Sequence, residues 1–202
     1  MQTPAVRTIL PGFADPVADA QYGFRAALDA LARPATPRSF APSLDAPFAP
    51  EMASLALSLL DFEVGFWLAP SLEYEPAIAH YLRFHTGSRQ VPNPSAASFA
   101  FLDLSAGDGL DLAAFAQGTA EYPDRSTTVV VACDGFLPLP GLLVEGPGIK
   151  GRLPFGFSPM PEDFIAQWAC NREGFPLGVD LLLVASGSLM GLPRSTRILS
   201  GG

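Results

Sequence analysis

Lysine is nearly absent: Lys150 is the only one in 202 residues. A phosphate-cradling P-loop needs Gly-Lys-Ser/Thr, and Lys150 is followed by Gly151. A pyridoxal-phosphate enzyme needs a lysine for its Schiff base, and Lys150 lies in a glycine-rich turn beside Arg152, where a solvated charge is expected. Histidine is almost as scarce. His80 and His85 are turned about 140° from each other on a helix, unlike the i, i+4 pair of a metal-binding HExxH. The two cysteines, Cys133 and Cys170, have no CxxC partner, and nothing in their spacing argues for a zinc site or a disulfide scaffold; two buried, reduced thiols are expected. No GxSxG nucleophile elbow occurs, since Gly187-Ser188 lacks the second glycine. Charged residues make up only 16% of the chain, and 12 basic against 20 acidic side chains leave a net charge of −8, so no basic face for nucleic acid is visible. No apolar run approaches the length of a membrane span, and the N-terminal MQTPAVRTILPGFADP lacks the apolar core of a leader. A soluble cytoplasmic protein without a metal or cofactor is the expectation.

What the chain has is apolar surface. Hydrophobic residues are 49% of it, which excludes intrinsic disorder and hints that a partner covers part of the surface. Its 21 prolines and 19 glycines fall between periodic segments. After an arm over residues 1–14, Asp15-Pro16 caps a helix over 16–32, with Val17, Ala20, Phe24, Ala27, Leu28 and Leu31 on one face. Further helices are expected over 51–60, 75–84, 110–116 and 162–172. Strands are expected over 63–68, 98–104, 127–132, 142–145, 179–185 and 196–199. Helices alternating with mostly apolar strands predict one α/β domain over 15–202, its central sheet covered on both faces.

Four strings invite a chemical reading. Gly146-Pro147-Gly148-Ile149-Lys150-Gly151 satisfies GxGxxG, but Pro154 and Gly156 work against the helix a dinucleotide site needs, so a tight structural turn is expected. His85, between Arg83 and Thr86 at a helix end, suits anion binding, capping or interface packing. Asp103, Asp108 and Asp111 cluster as turn and cap residues and lack a calcium-loop pattern. Arg194-Ser195-Thr196-Arg197 offers two guanidiniums suited to phosphate, to an acidic partner or to a solvated strand edge. Asp180 is an unusual acid inside a buried strand and needs a partner, for which Arg194 is the natural candidate.

Five strings taken together resemble the H-subunit (PhnH) family of the bacterial carbon–phosphorus lyase core complex. They are Ala20-Gln21-Tyr22-Gly23-Phe24-Arg25, Leu82-Arg83-Phe84-His85-Thr86, Gly146-Pro147-Gly148-Ile149, the run from Phe175 to Leu183, and Leu192-Pro193-Arg194-Ser195-Thr196. The resemblance implies a role in phosphonate use. With the G, I and L proteins, such a subunit is required to transfer the ribose triphosphate moiety of ATP to methylphosphonate. It implies a three-layer α/β/α sandwich with a mixed central sheet, similar to the large domain of pyridoxal-phosphate-dependent transferases but lacking their cofactor site. It also implies homodimers in isolation and assembly with the G, I and J subunits. No catalytic residue is carried over. Arg83, His85, Arg194 and Arg197 stand as candidates for an anion site or an interface, the first three as possible grips on nucleotide phosphate.

Overall fold

The computed structural model describes residues 9–200. Helix α1 (Pro16–Ala32) begins where Asp15 accepts hydrogen bonds from the Val17 and Ala18 amides. After β1 (Arg38–Ser39) come α2 (Pro50–Leu59), β2 (Gly65–Leu68), the single turn α3 (Pro70–Glu73) and α4 (Pro76–Thr86), which Gly87 ends in the left-handed region. Then follow β3 (Arg89–Gln90), β4 (Phe99–Asp103), β5 (Thr128–Ala132), β6 (Leu142–Glu145) and β7 (Leu153–Pro154). Helix α5 (Phe164–Glu173) leads to β8 (Asp180–Ala185), β9 (Ser188–Leu192) and β10 (Arg197–Ser200).

A seven-stranded sheet runs in the order β1-β9-β8-β5-β4-β2-β3. It is parallel from β3 to β8 and antiparallel at β8/β9 and β9/β1, and so mixed. Its central strands read as unbroken apolar runs because both faces are buried. Phe101, Val130, Leu182 and Val184 point into a core shared with Ala27, Leu55, Tyr81 and Leu82 of the helices α1, α2 and α4. Their neighbours Leu102, Val129, Val131, Leu181 and Leu183 point into the opposite core, filled by Phe155, Phe157, Phe164 and Trp168.

Four expectations are corrected. The strands over 142–145 and 196–199 form β6 and β10 of a separate antiparallel sheet, β10-β6-β7. One face of the central sheet therefore carries helices, and the other α5 with this small sheet. The helix expected over 110–116 is only a 3-10 turn, Leu112–Ala114, because Ala116 N donates to the Thr127 hydroxyl and the Leu112 carbonyl accepts from the Gln117 side chain, where a continuing helix would join the two. Strand β9 was not foreseen. Helix α1 buries its small residues Gly23, Ala27 and Ala30, not the whole expected face: Val17, Phe24 and Leu28 are 68%, 48% and 53% exposed. The reason lies across the contact, where a Cβ at Gly191 of β9 would come within 2.4 Å of the Ala30 carbonyl. The helix backbone rests on strand backbone, and only small side chains fit between. Among the described residues no helix is long and apolar enough to cross a membrane.

Candidate functional site

In open parallel sheets, ligands bind beyond the carboxyl ends of the strands where the winding direction reverses. Here that point is β2, flanked by β3 and β4. The loops after β2 and β4 meet there and close on each other. The Asp108 carboxylate accepts from the Ser71 amide (3.0 Å), the Ser71 hydroxyl (2.6 Å) and the Asp103 amide (2.9 Å). These are the donors an incoming anion would use, and the chain's own carboxylate occupies them. Asp103 accepts from the Ser105 and Ala106 amides, and Asp111 from Ala113, so the acidic trio serves turns and a helix start, as expected.

Beside this junction, Cys133 ends the apolar run of β5. Burial, with the Asp134 and Asp103 charges adding to it, pushes its thiol up to about 11. It is neutral at physiological pH and a poor nucleophile. Cys170 is exposed on α5, contrary to the expectation of two buried thiols, and lines a groove of about 450 Å³ with Asp163 and Gln167. The Gln167 amide is used within the chain, accepting from Leu112 N and donating to Leu110 O, both at 2.9 Å. With an excess of a thiol-reactive disulfide near pH 8, one equivalent of thiol per chain is expected to react, at Cys170. The Cys170→Ser variant is expected to react only on unfolding; prompt native reaction of two thiols would contradict the burial of Cys133.

Three of the five resembling strings converge on one corner, at the amino ends of β5 and β8. Arg194 lies at its centre, its side chain 13% exposed and that of Asp180 19%. Its Nε donates to both Asp180 oxygens (3.1 and 3.2 Å), and Nη2 to Asp180 (2.6 Å) and the Ser126 hydroxyl. Nη1 reaches the carbonyls of Pro123 (3.0 Å) and Pro176 (3.3 Å). A guanidinium has five N–H donors, and these contacts engage them. The pairing expected for Asp180 is present, and Arg194 has nothing left for an incoming phosphate. Beside it the Trp168 indole donates to Thr196 O at 2.9 Å, and Asn171 clasps Val179 by two bonds of 2.8 and 3.0 Å. The Gly146–Gly151 segment is the link from β6 to β7, with no helix after it. Gly148, at φ +80°, has the Ala32 carbonyl where a Cβ would stand, at 2.2 Å. A tight packing turn explains that glycine.

The remaining candidates lie apart. Arg194 stands at β8, three strand spacings, or about 14 Å, from β2, whereas Arg83 and His85 sit on α4 over the β2 side. His85 Nε2 donates to Leu10 O at 3.0 Å, and the Tyr81 hydroxyl donates to Pro11 O at 3.2 Å. These two side chains hold residues 10–11 of the N-terminal arm against α4; residues 1–8 of the arm expected over 1–14 lie outside the described residues. Arg197 shares Glu145 with Arg152, at 3.5 and 3.2 Å, across the small sheet. Arg83 is exposed and lines an open cavity of about 440 Å³ with Arg89, Glu73 and Gln90. Arg89 was missed in the sequence; its only signal is a guanidinium placed just after the Gly87 helix stop. Among the described residues no three of His, Cys, Asp and Glu gather as a metal cluster would.

The chain matches the family described as bacterial phosphonate metabolism protein (PhnH) over residues 11–199. It is 40% identical over 192 residues to the Rhizobium meliloti (strain 1021) protein named alpha-D-ribose 1-methylphosphonate 5-triphosphate synthase subunit PhnH, covering 92% of this chain and 93% of the relative. It is also 36% identical over 81 residues, 40% of this chain and 42% of the relative, to a putative C-P lyase subunit, HtxG, of Stutzerimonas stutzeri. The family match, over residues 11–199, spans both the Arg194 corner and the α4 side, so it concerns the whole architecture described above.

Proposed function

The chain belongs to the PhnH family of bacterial phosphonate metabolism proteins, and from that premise we propose that it is an accessory, non-catalytic subunit of the carbon–phosphorus lyase system. Its part is in ribose 1-methylphosphonate 5-triphosphate synthase, where it acts with the G, I and L proteins in moving the ribose triphosphate of ATP onto methylphosphonate. It works in the cytoplasm, pairs with itself in isolation and joins the G, I and J subunits. The observation that carries the reading is 40% identity along nearly the full length of both chains to a named subunit of that synthase.

Physical features support an architectural role. The strings that carry the resemblance include a corner whose polar groups are spent on one another, as in a frame. The crevice at the sheet's reversal point is filled by Asp108, which suits a transferase-like sheet that has exchanged its cofactor place for a loop junction. Exposed large apolar side chains, Val17, Phe24 and Leu28 on α1 and Phe62, Tyr74 and Phe84 elsewhere, suit surfaces that other subunits cover.

A tagged copy recovered from its own cells, grown on a phosphonate as sole phosphorus source, is expected to bring down the G, I and J subunits in stoichiometric amounts. The purified chain alone is expected to turn over no ATP with methylphosphonate. Recovery without those subunits, or turnover by the isolated chain, would overturn the proposal.

A further inference from the structure

A chain of net charge −8 has few cations to hold an anion, and most of them are already engaged. Among the described residues, Arg33 and Arg38 share Asp29, Arg152 and Arg197 share Glu145, and Arg194 is bound to Asp180. Arg125 lies over the Tyr122 ring at 4.0 Å and Arg172 over the Phe175 ring at 5.1 Å. Among the described residues, four arginines and lysines have neither an acidic nor an aromatic partner: Arg25, Arg83, Arg89 and Lys150. Arg25 faces a different cavity, beside the Arg38–Asp29 pair, and Lys150 stands on the β6–β7 turn. Of these, Arg83 and Arg89 open onto one space, the cavity of about 440 Å³ at the α4–β3 corner. A multiply charged anion that needs two unspent cations finds them there.

We infer that Arg83 and Arg89 form an anion subsite for the oligophosphate group of a nucleotide or sugar triphosphate. The two guanidiniums approach from different elements, the last turn of α4 and the edge strand β3, and each presents a planar fork that pairs bidentately with phosphate oxygens. The third charged lining group, Glu73, accepts from the Gln90 amide at 3.2 Å. The partial negative charge at the C-terminal end of α4 opposes an anion, and two guanidiniums offset it better than one. The subsite stands on this geometry; naming a triphosphate as its occupant rests on the synthase reading above.

The test is calorimetry on the full chain with inorganic tripolyphosphate at constant ionic strength, with inorganic phosphate and sulfate as comparisons. Tripolyphosphate is expected to bind at least tenfold more tightly than either. Arg83→Gln and Arg89→Gln are each expected to weaken it about tenfold, as for loss of one charge-assisted contact. The double variant should abolish the heat, and Arg25→Gln should leave it unchanged. All three positions are exposed, so unchanged circular dichroism is expected and checks that folding is intact. No heat at millimolar tripolyphosphate, or heat that survives in the double variant, would overturn the subsite. Equal affinity for phosphate and tripolyphosphate would overturn the oligophosphate assignment. Co-purification of the G, I and J subunits is read separately, so an intact assembly with no tripolyphosphate binding removes the subsite and leaves the subunit role standing.

Discussion

Replacing Arg194 with alanine is expected to destabilise the chain by roughly 3 kcal/mol, at the low end of what breaking a buried ion pair costs. The low end applies because the Arg194 and Asp180 side chains are 13% and 19% exposed, and water reaches part of the pair. The loss has two parts. Asp180 keeps the bond from the Arg194 amide at 2.7 Å but loses its counter-charge, and the Pro123 and Pro176 carbonyls and the Ser126 hydroxyl lose their common donor. For a chain of this length the midpoint of thermal unfolding should fall by about 6–12 °C. Arg194→Lys is expected to restore only part of the loss, since an ammonium cannot span four partners in a planar fork. Urea unfolding of the single variants and of Arg194→Ala with Asp180→Ala gives the coupling. Additive single losses would show that the two side chains act independently and that the corner is not a clasp. A measured cost below about 0.5 kcal/mol, as for an exposed pair, would say the same.

That pair was legible in the sequence because a buried acid demands a partner, and a cation 14 residues on in the same C-terminal unit could reach it. Helix α1 was legible at its start for a local reason too: Asp15 followed by Pro16 satisfies the first amides and pre-sets the first turn. The seated face of α1 was not. Helical periodicity marks the bulky stripe of Val17, Phe24 and Leu28, whereas the side that packs is chosen by Gly191, which lies 161 positions beyond Ala30 in the chain.

The same limit explains the other differences. A strand string such as Leu142–Glu145 has the same alternation whichever sheet it joins, and its membership is decided by pairing with Arg197–Ser200. The closed crevice depends on Asp108 meeting Ser71, 37 residues earlier, which no local pattern encodes. Among the candidate site residues, the chemistry of each arginine was visible but its availability was not. Arg194, offered both as the partner of Asp180 and as a grip on phosphate, is fully engaged within the chain, while Arg89 passed unnoticed and lies beside Arg83 in a shared cavity.

Trp168→Ala is the second large effect expected, about 3–5 kcal/mol. The indole is 1% exposed and closes a layer of aromatic rings under the central sheet. It stacks on Phe164 at 6.1 Å, which meets Phe157 edge-on at 5.0 Å. Truncation leaves a cavity between α5 and the small sheet and orphans the Thr196 carbonyl that the indole now serves. Trp168→Phe separates these contributions. It keeps most of the ring and loses the donor, and is expected to cost about 1–3 kcal/mol, the penalty of an unpaired buried acceptor. Unfolding in urea, followed by far-ultraviolet circular dichroism because a fluorophore has been removed, should therefore rank the wild type above Trp168→Phe and that above Trp168→Ala. Equal losses in the two variants would assign the whole effect to the hydrogen bond, and a loss under 1 kcal/mol in Trp168→Ala would mean that the aromatic layer does not hold α5 in place. Because Thr196 immediately precedes β10 and follows the Arg194 turn, the same variant should lower recovery of partner subunits at 37 °C through the folded fraction of the chain. Recovery per folded molecule should stay unchanged at lower temperature, since Trp168 is buried and reaches no surface a partner could touch.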